Sequence, residues 1–372
     1  MKIGIVLYPT FGGSGVVATE LGKELALKGH EVHFITYSLP VRLGSFKANI
    51  FYHEVSVNDY PLFDYPPYEL VLSSKLVDVV EHEGLDLLHV HYAIPHASAA
   101  YMARSILKKK GIKIPYITTL HGTDITLVGK DPSFESVITF AINESDAVTA
   151  VSESLKQDTY DSFKIDNGID VIPNFVRMDR YNKKKDMDLR RRYAEDNERI
   201  ISHISNFRPV KRIDDILHVF KKLSDEMPAK LLLIGDGPER YRLEAKCREL
   251  GICGKTKYLG KLRDTSQVLS ISDLFMLTSE KESFGVSALE AMASGVPVIS
   301  SNTGGLPEVN IHGESGFTSN VGDVDDMAKN AIYILKDPKN IEKFGNRARE
   351  IASGFDISKI LPIYEKLYES LI

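Results

Sequence analysis

Short runs of β-branched and apolar residues alternate along this chain with longer stretches in which apolar residues recur every three or four positions. That alternation predicts parallel sheets flanked by helices. In the first half the runs place strands near 2–8, 31–36, 50–55, 86–91, 115–119, 147–151 and 169–173. Helices fall between them near 15–28, 68–82, 96–109, 134–144 and 152–163. A polar, charge-rich segment at 177–197 interrupts the series, which resumes with strands at 200–205, 231–234, 257–259, 274–277 and 296–300. Three helices follow the final strand, near 324–336, 339–352 and 357–371. The expectation is two doubly wound α/β units in tandem, 1–173 and 174–354, with the helix in 355–372 crossing back over the first. In open α/β sheets ligands bind beyond the carboxyl ends of the strands, so the turns after strands are where chemistry is sought.

Length agrees with two units, since 372 residues exceed one ordinary core, and 43% hydrophobic with 26% charged content is that of a globular chain. A formal net charge of −5 gives no overall attraction to nucleic acid or anionic lipid. The apolar run at 3–7 is broken too soon by Pro9 and Gly12 to be a signal peptide, so a cytoplasmic protein is expected. The two cysteines, Cys247 and Cys253, are spaced for neither a zinc ribbon nor a C-x-x-C redox pair and read as reduced thiols.

The densest chemistry lies in Glu282-Ser283-Phe284-Gly285-Val286-Ser287-Ala288-Leu289-Glu290, between an apolar strand and a Gly295-Val296-Pro297 turn. With 284–294 helical, eight residues rise roughly 12 Å, too far for the paired carboxylates of a glycosidase. The separation suits two ends of one extended ligand, and a helix start at 283–285 would offer free N–H groups to a phosphate between them. A sugar nucleotide has that layout of hexose, diphosphate and ribose.

Other turns have both a ligand-binding and a plainer reading. Gly12-Gly13-Ser14-Gly15 follows the first strand; it is neither G-x-G-x-x-G nor a Walker A loop, and is either a tight turn or a substrate contact. His89, His91 and His96 cluster at a strand end without a familiar metal-ligand spacing, so packing beneath a loop is the simpler account. His121 ends a buried strand and can face a ligand or serve as a structural histidine. The tyrosine- and proline-rich stretch 60–68 reads as an ordered loop. Ser205-Asn206-Phe207-Arg208-Pro209-Val210-Lys211-Arg212 brings three cations to a strand-to-helix junction, either to meet a diphosphate or as a solvated face. Gly235-Asp236-Gly237-Pro238-Glu239 and Asn302-Thr303-Gly304-Gly305-Leu306-Pro307-Glu308 are further rim turns.

Taken in order, the Gly-Gly loop, Gly-Asp-Gly-Pro-Glu, Glu282-x7-Glu290, Gly-Val-Pro and Gly-Gly-Leu-Pro-Glu resemble the retaining glycosyltransferases of family 4 from end to end. The resemblance implies the GT-B fold, two Rossmann-like doubly wound domains facing across a cleft. More narrowly, Tyr8-Pro9, His89-Val90-His91-Tyr92-Ala93-Ile94-Pro95-His96, 120–126 and 279–285 are similar to the branch of that family serving bacillithiol biosynthesis. Its members move N-acetylglucosamine from UDP-GlcNAc to the hydroxyl of L-malate with retention at the anomeric carbon.

Carried over by position, the resemblance implies that Glu282 holds sugar hydroxyls, Glu290 the ribose and Lys211 the diphosphate. His121 would touch the donor sugar, and the backbone of Ser283, Phe284 and Gly285 would lie near sugar and phosphate. Gly12 and Gly13 would approach the diphosphate and acceptor. Asn206 stands where the family has an arginine, so Arg208 or Arg212 is the candidate second cation. Ser14, Tyr92, Thr123 and Lys75 are the candidates for the acceptor. The departing phosphate would take the malate proton, with no protein nucleophile, no cofactor and no catalytic metal. Two other readings are open. A lipid or polysaccharide acceptor would use the basic end of the third helix, Arg104 and 108–110; a non-catalytic sugar-nucleotide binder would need fewer of these residues together.

Overall fold

The computed structural model describes residues 1–10, 12–44, 47–57, 66–181 and 186–372. It divides into two compact units, Met1–Pro173 with Ser358–Ile372, and Asn174–Ile357. The expected loop at 60–68 lies outside the described residues as far as 65.

The first unit is built on a seven-stranded sheet in the order β3-β2-β1-β4-β5-β6-β7. Its strands are β1 Lys2–Val6, β2 Glu31–Thr36, β3 Ile50–Glu54, β4 Leu87–His91, β5 Tyr116–Leu120, β6 Ala147–Ala150 and β7 Ile169–Val171. All pairings are parallel. Helices cover both faces, which is why the central strands are unbroken apolar runs, with Ile3, Ile5, Leu87, Leu88 and Ile117 fully buried. The last helix, Ile357–Glu369, belongs to this unit and buries Tyr364 and Tyr368 beside His89.

The second unit holds six parallel strands in the order β10-β9-β8-β11-β12-β13. They are β8 Arg199–Ile204, β9 Ala229–Ile234, β10 Thr256–Gly260, β11 Leu274–Leu277, β12 Val298–Ser301 and β13 Gly316–Ser319. In both sheets the strand order reverses once, between β1 and β4 and between β8 and β11. The loops at those reversals are where a doubly wound sheet opens to a ligand.

Three expectations needed correction. The strand β13 was not foreseen. The segment 177–197, read from sequence only as polar and charge-rich, contains the helix Met187–Arg191 with Arg190 buried. Arg190 pairs with Asp273 at 2.9 Å and donates to the Ile271 carbonyl at 2.7 Å, tying that helix beneath β11. The helix expected from 96 begins at Ser98, and His96 sits in a wide turn, Ala93–Ala97, before it.

Candidate active site

At the reversal of the second sheet, the loops after β8 and β11 are bonded to each other. Thr278 Oγ1 donates to the carbonyls of Lys211 (3.2 Å) and Arg212 (2.9 Å), and the Glu280 N–H donates to the Val210 carbonyl at 2.8 Å. These bonds bring Lys211 Nζ to Glu282 Oε2 at 2.6 Å, with Ser279 Oγ on the same carboxylate oxygen at 3.1 Å. Both charged side chains keep about a fifth of their surface exposed, so the pair is held yet reachable. A third loop fixes it from behind. The Gly305 N–H donates to the Glu282 carbonyl at 3.0 Å, and Gly304 has a φ of +55°. A Cβ on Gly304 would stand 2.0 Å from the Glu282 carbonyl oxygen, so only glycine fits there. Gly235 and Gly237 act likewise, their missing Cβ atoms leaving room for the backbone of 205–207.

The helix that follows spans Val286–Ala293, so residues 283–285 lie in the turn before it. Gly285, at φ +95°, is its cap. The rise of roughly 12 Å reckoned for an unbroken helix therefore does not apply, because Glu282 stands outside it. The Phe284 side chain is buried against Phe355, ring centres 5.7 Å apart, which leaves its backbone as the part that can meet a ligand. Glu290 lies within the helix, buried, and accepts from Thr265 Oγ1 at 3.2 Å. Of the candidate second cations, Arg212 is held by Asp215 at 2.7 Å, whereas Arg208 is exposed with no ion-pair partner among the described residues. Asn206 is exposed beside it.

In the first unit, the reversal lies between the loops after β1 and β4. Gly12 caps the helix Gly13–Leu27, leaving the first N–H groups of that helix open. Ser14 Oγ bonds the Tyr92 hydroxyl at 2.5 Å, and Thr123, which opens the turn after β5, lies near enough to bear on the acidity of that hydroxyl. Tyr92 has a φ of +91°, a strained value for a bulky residue. Asp124 holds the surrounding loop, accepting from the N–H groups of Ala93 (2.8 Å) and Gly122 (3.0 Å), while burial pushes its carboxyl up to about 6. His121 Nε2 lies 2.8 Å from His91 Nδ1, and burial pushes the His121 ring down to about 3. Lys75 stands apart on the helix Tyr68–Glu83, where its charge acts on His53.

His89 and His91 do share a face, stacked at 4.4 Å. The one group of described residues with metal-ligand proximity is elsewhere: His33, His53 and Glu83, by the edge strand β3. There His33 Nδ1 and His53 Nε2 bond each other at 2.9 Å, and Glu31 takes His33 Nε2 at 3.0 Å, so the imidazoles already have partners. Cys247 is buried and Cys253 exposed, both free, with burial pushing the Cys247 thiol up to about 11. No described helix is long and apolar enough to cross a membrane.

The family model Glycosyltransferase Family 4 matches residues 11–180, and Glycosyl transferases group 1 matches 185–351. The chain is 48% identical over 374 aligned positions to the N-acetyl-alpha-D-glucosaminyl L-malate synthase of Bacillus anthracis, covering 100% of this chain and 97% of that one. Among solved structures, Anabaena HepE in complex with UDP-glucose superposes with a TM-score of 0.83 at 22% identity, covering 100% of both chains. Sucrose-phosphate synthase from Thermosynechococcus elongatus gives 0.82 at 20% identity, covering 100% of this chain and 99% of that one.

Proposed function

The chain belongs to glycosyltransferase family 4 and has the GT-B fold, and on that premise we propose that it transfers N-acetylglucosamine from UDP-GlcNAc to the hydroxyl of L-malate. The product would be an α-linked N-acetylglucosaminyl malate, the first step of bacillithiol biosynthesis, made in the cytoplasm. The observation that carries the choice of substrates is the full-length identity to a protein of that name.

The residues support the chemistry. Lys211 is already fixed by Glu282, whose carboxylate also accepts from Ser279, so an arriving diphosphate meets a cation held in one place. The first-turn N–H groups of the helix Val286–Ala293 add a second positive pole. Glu282 can then turn its carboxylate to sugar hydroxyls and Glu290 can take the ribose. As the bond to the diphosphate breaks, Lys211 and these N–H groups, with Arg208 as the second cation, stabilise the charge growing on the phosphate. The malate hydroxyl attacks from the face that the phosphate leaves and passes its proton to that phosphate. Retention follows without a protein nucleophile. Ser14, Tyr92 and Thr123 form a hydroxyl cluster suited to the acceptor.

A lipid acceptor draws no support from the basic end of the helix Ser98–Lys109. Arg104 is paired with Asp146 at 3.0 Å and Lys110 with Glu81 at 2.6 Å, which leaves Lys108 and Lys109 as the two exposed cations of that end without an ion-pair partner among the described residues, a small patch to meet an anionic surface.

The test is UDP release from UDP-GlcNAc with and without L-malate, in EDTA, with the anomeric configuration of the product read by NMR. Malate-dependent release giving an α-linked product is expected. Release indifferent to malate removes the acceptor, and dependence on added divalent metal removes the metal-free mechanism.

A further inference from the structure

His121 ends β5 and His91 ends the neighbouring β4, with His121 Nε2 and His91 Nδ1 2.8 Å apart. The ring centres are 5.1 Å apart and the ring planes 27° from parallel, which places the contact near both planes, as an N–H···N bond requires. Burial pushes His121 down to about 3 and His91 well below the usual histidine range, so both rings are neutral and one proton lies between them. Either ring could supply it, and the two choices differ at His91 Nε2.

That atom is buried and has no hydrogen-bond partner among the described residues. Were His121 the donor, His91 would carry its proton at Nε2, as a buried N–H with nothing to accept it. With His91 the donor, Nε2 keeps only a bare lone pair, the less costly of the two defects. The neighbouring ring makes the same choice. His96 Nδ1 faces the His91 carbonyl, which can only accept, so the His96 proton is on Nδ1 and its buried, unpartnered Nε2 is likewise a lone pair.

From this we infer that His91 is a positioning residue: by donating Nδ1–H to His121 Nε2 it fixes His121 as the Nδ1–H tautomer. His121 then presents a neutral hydrogen-bond donor, never a base, at Nδ1, which no described residue occupies. The support continues inward. His91 stacks on His89, whose Nδ1 meets the Tyr368 hydroxyl and whose Nε2 meets Thr119 Oγ1, both at 2.7 Å. The last helix thus braces the ring that orients His121. What His121 Nδ1–H faces, an oxygen of the transferred sugar, rests on the function proposed above; the tautomer does not.

The experiment is a two-bond 1H–15N correlation spectrum of the full chain labelled with 15N-histidine, the His121 signals being assigned by their loss in His121→Asn. The proton is expected on Nδ1 in the parent chain and in His91→Asn, whose amide can still donate, and on Nε2 or shared between sites in His91→Leu. In parallel, His91→Leu lowers kcat by roughly tenfold or more with little change in KM for UDP-GlcNAc, and His91→Asn recovers most of the loss. A proton on His121 Nε2 in the parent chain overturns the inference whatever the variants do. So does an unchanged tautomer in a folded His91→Leu protein. A parent chain with the Nδ1–H tautomer but no transfer to malate removes the proposed acceptor and leaves the inference standing.

Discussion

Lys211 Nζ stands 2.6 Å from Glu282 Oε2, so the residue read as a phosphate ligand and the residue read as a sugar ligand are one ion pair. Two such groups act as a unit. Lys211→Ala is expected to lower kcat by about 10² to 10³, the usual loss for a contact to developing negative charge. Glu282→Ala should lower kcat and raise KM for UDP-GlcNAc. The double variant should fall little below the worse single one. Steady-state UDP release for all three decides the matter, and losses that simply multiply would show two independent sites.

Glu290 should be read through the ribose. A buried carboxylate accepting from Thr265 can also take ribose hydroxyls, so Glu290→Ala is expected to weaken UDP binding by roughly 1.5 to 3 kcal/mol. Calorimetry with UDP and 2′-deoxy-UDP provides the sharper comparison. The parent chain should prefer UDP and the variant should not; equal preference in both would move the ribose contact to other residues.

Gly304 contacts no proposed substrate group, yet it should matter to binding. With its Cβ site 2.0 Å from the Glu282 carbonyl and its φ at +55°, Gly304→Ala must displace either loop. A stability loss of about 2 kcal/mol is expected, together with a higher KM for UDP-GlcNAc, because Glu282 moves with its backbone. Urea unfolding and kinetics on the same preparation test both effects, and a normal KM would mean that Glu282 does not hold the donor.

Acid should weaken the fold earlier than surface carboxylates alone would. Burial pushes His89 and His121 down to about 3, and His96 and His203 down to about 4. Each contributes stability that is present above the unfolded value near 6.5 and is lost as pH falls toward the folded value. Asp124, raised to about 6, works the other way, its contribution being complete below the unfolded value near 3.8 and lost as pH rises through 6. With His91, which burial also holds well below the usual histidine range, five rings oppose one carboxyl, so stability should drop by at least about 2 kcal/mol from pH 7 to pH 5. Urea midpoints across that range check the sign, and a flat profile would mean that these rings keep their protons when buried.

The architecture was open to sequence reading because both faces of each sheet are covered, which turns central strands into unbroken apolar runs. The reading failed where glycine does something other than turn the chain. Gly316 opens β13 with a φ of +153° because a Cβ there would lie 1.8 Å from the Val298 carbonyl oxygen; the residue signals close backbone approach, which on paper looks like a loop. Arg190 was unreadable for a different reason. A cation in a polar segment resembles solvent-facing chain until its partner, Asp273, is brought beside it. The same holds for Lys211 with Glu282, whose pairing follows from β8 lying next to β11, an adjacency of topology that residue spacing does not carry. The identities of the candidate residues could be listed from motifs, but their mutual hydrogen bonds and the helix start at Val286 could not.

The return of the helix Ile357–Glu369 to the first unit sets an order of birth. A ribosome working at about 5–20 residues per second releases β1 to β7 long before Tyr364 and Tyr368 exist. Throughout synthesis of the second unit, His89 lacks the hydroxyl that will satisfy its Nδ1, and the face that the two tyrosines will cover stays open. The half of the molecule translated first is therefore the half finished last, and its maturation waits on the other.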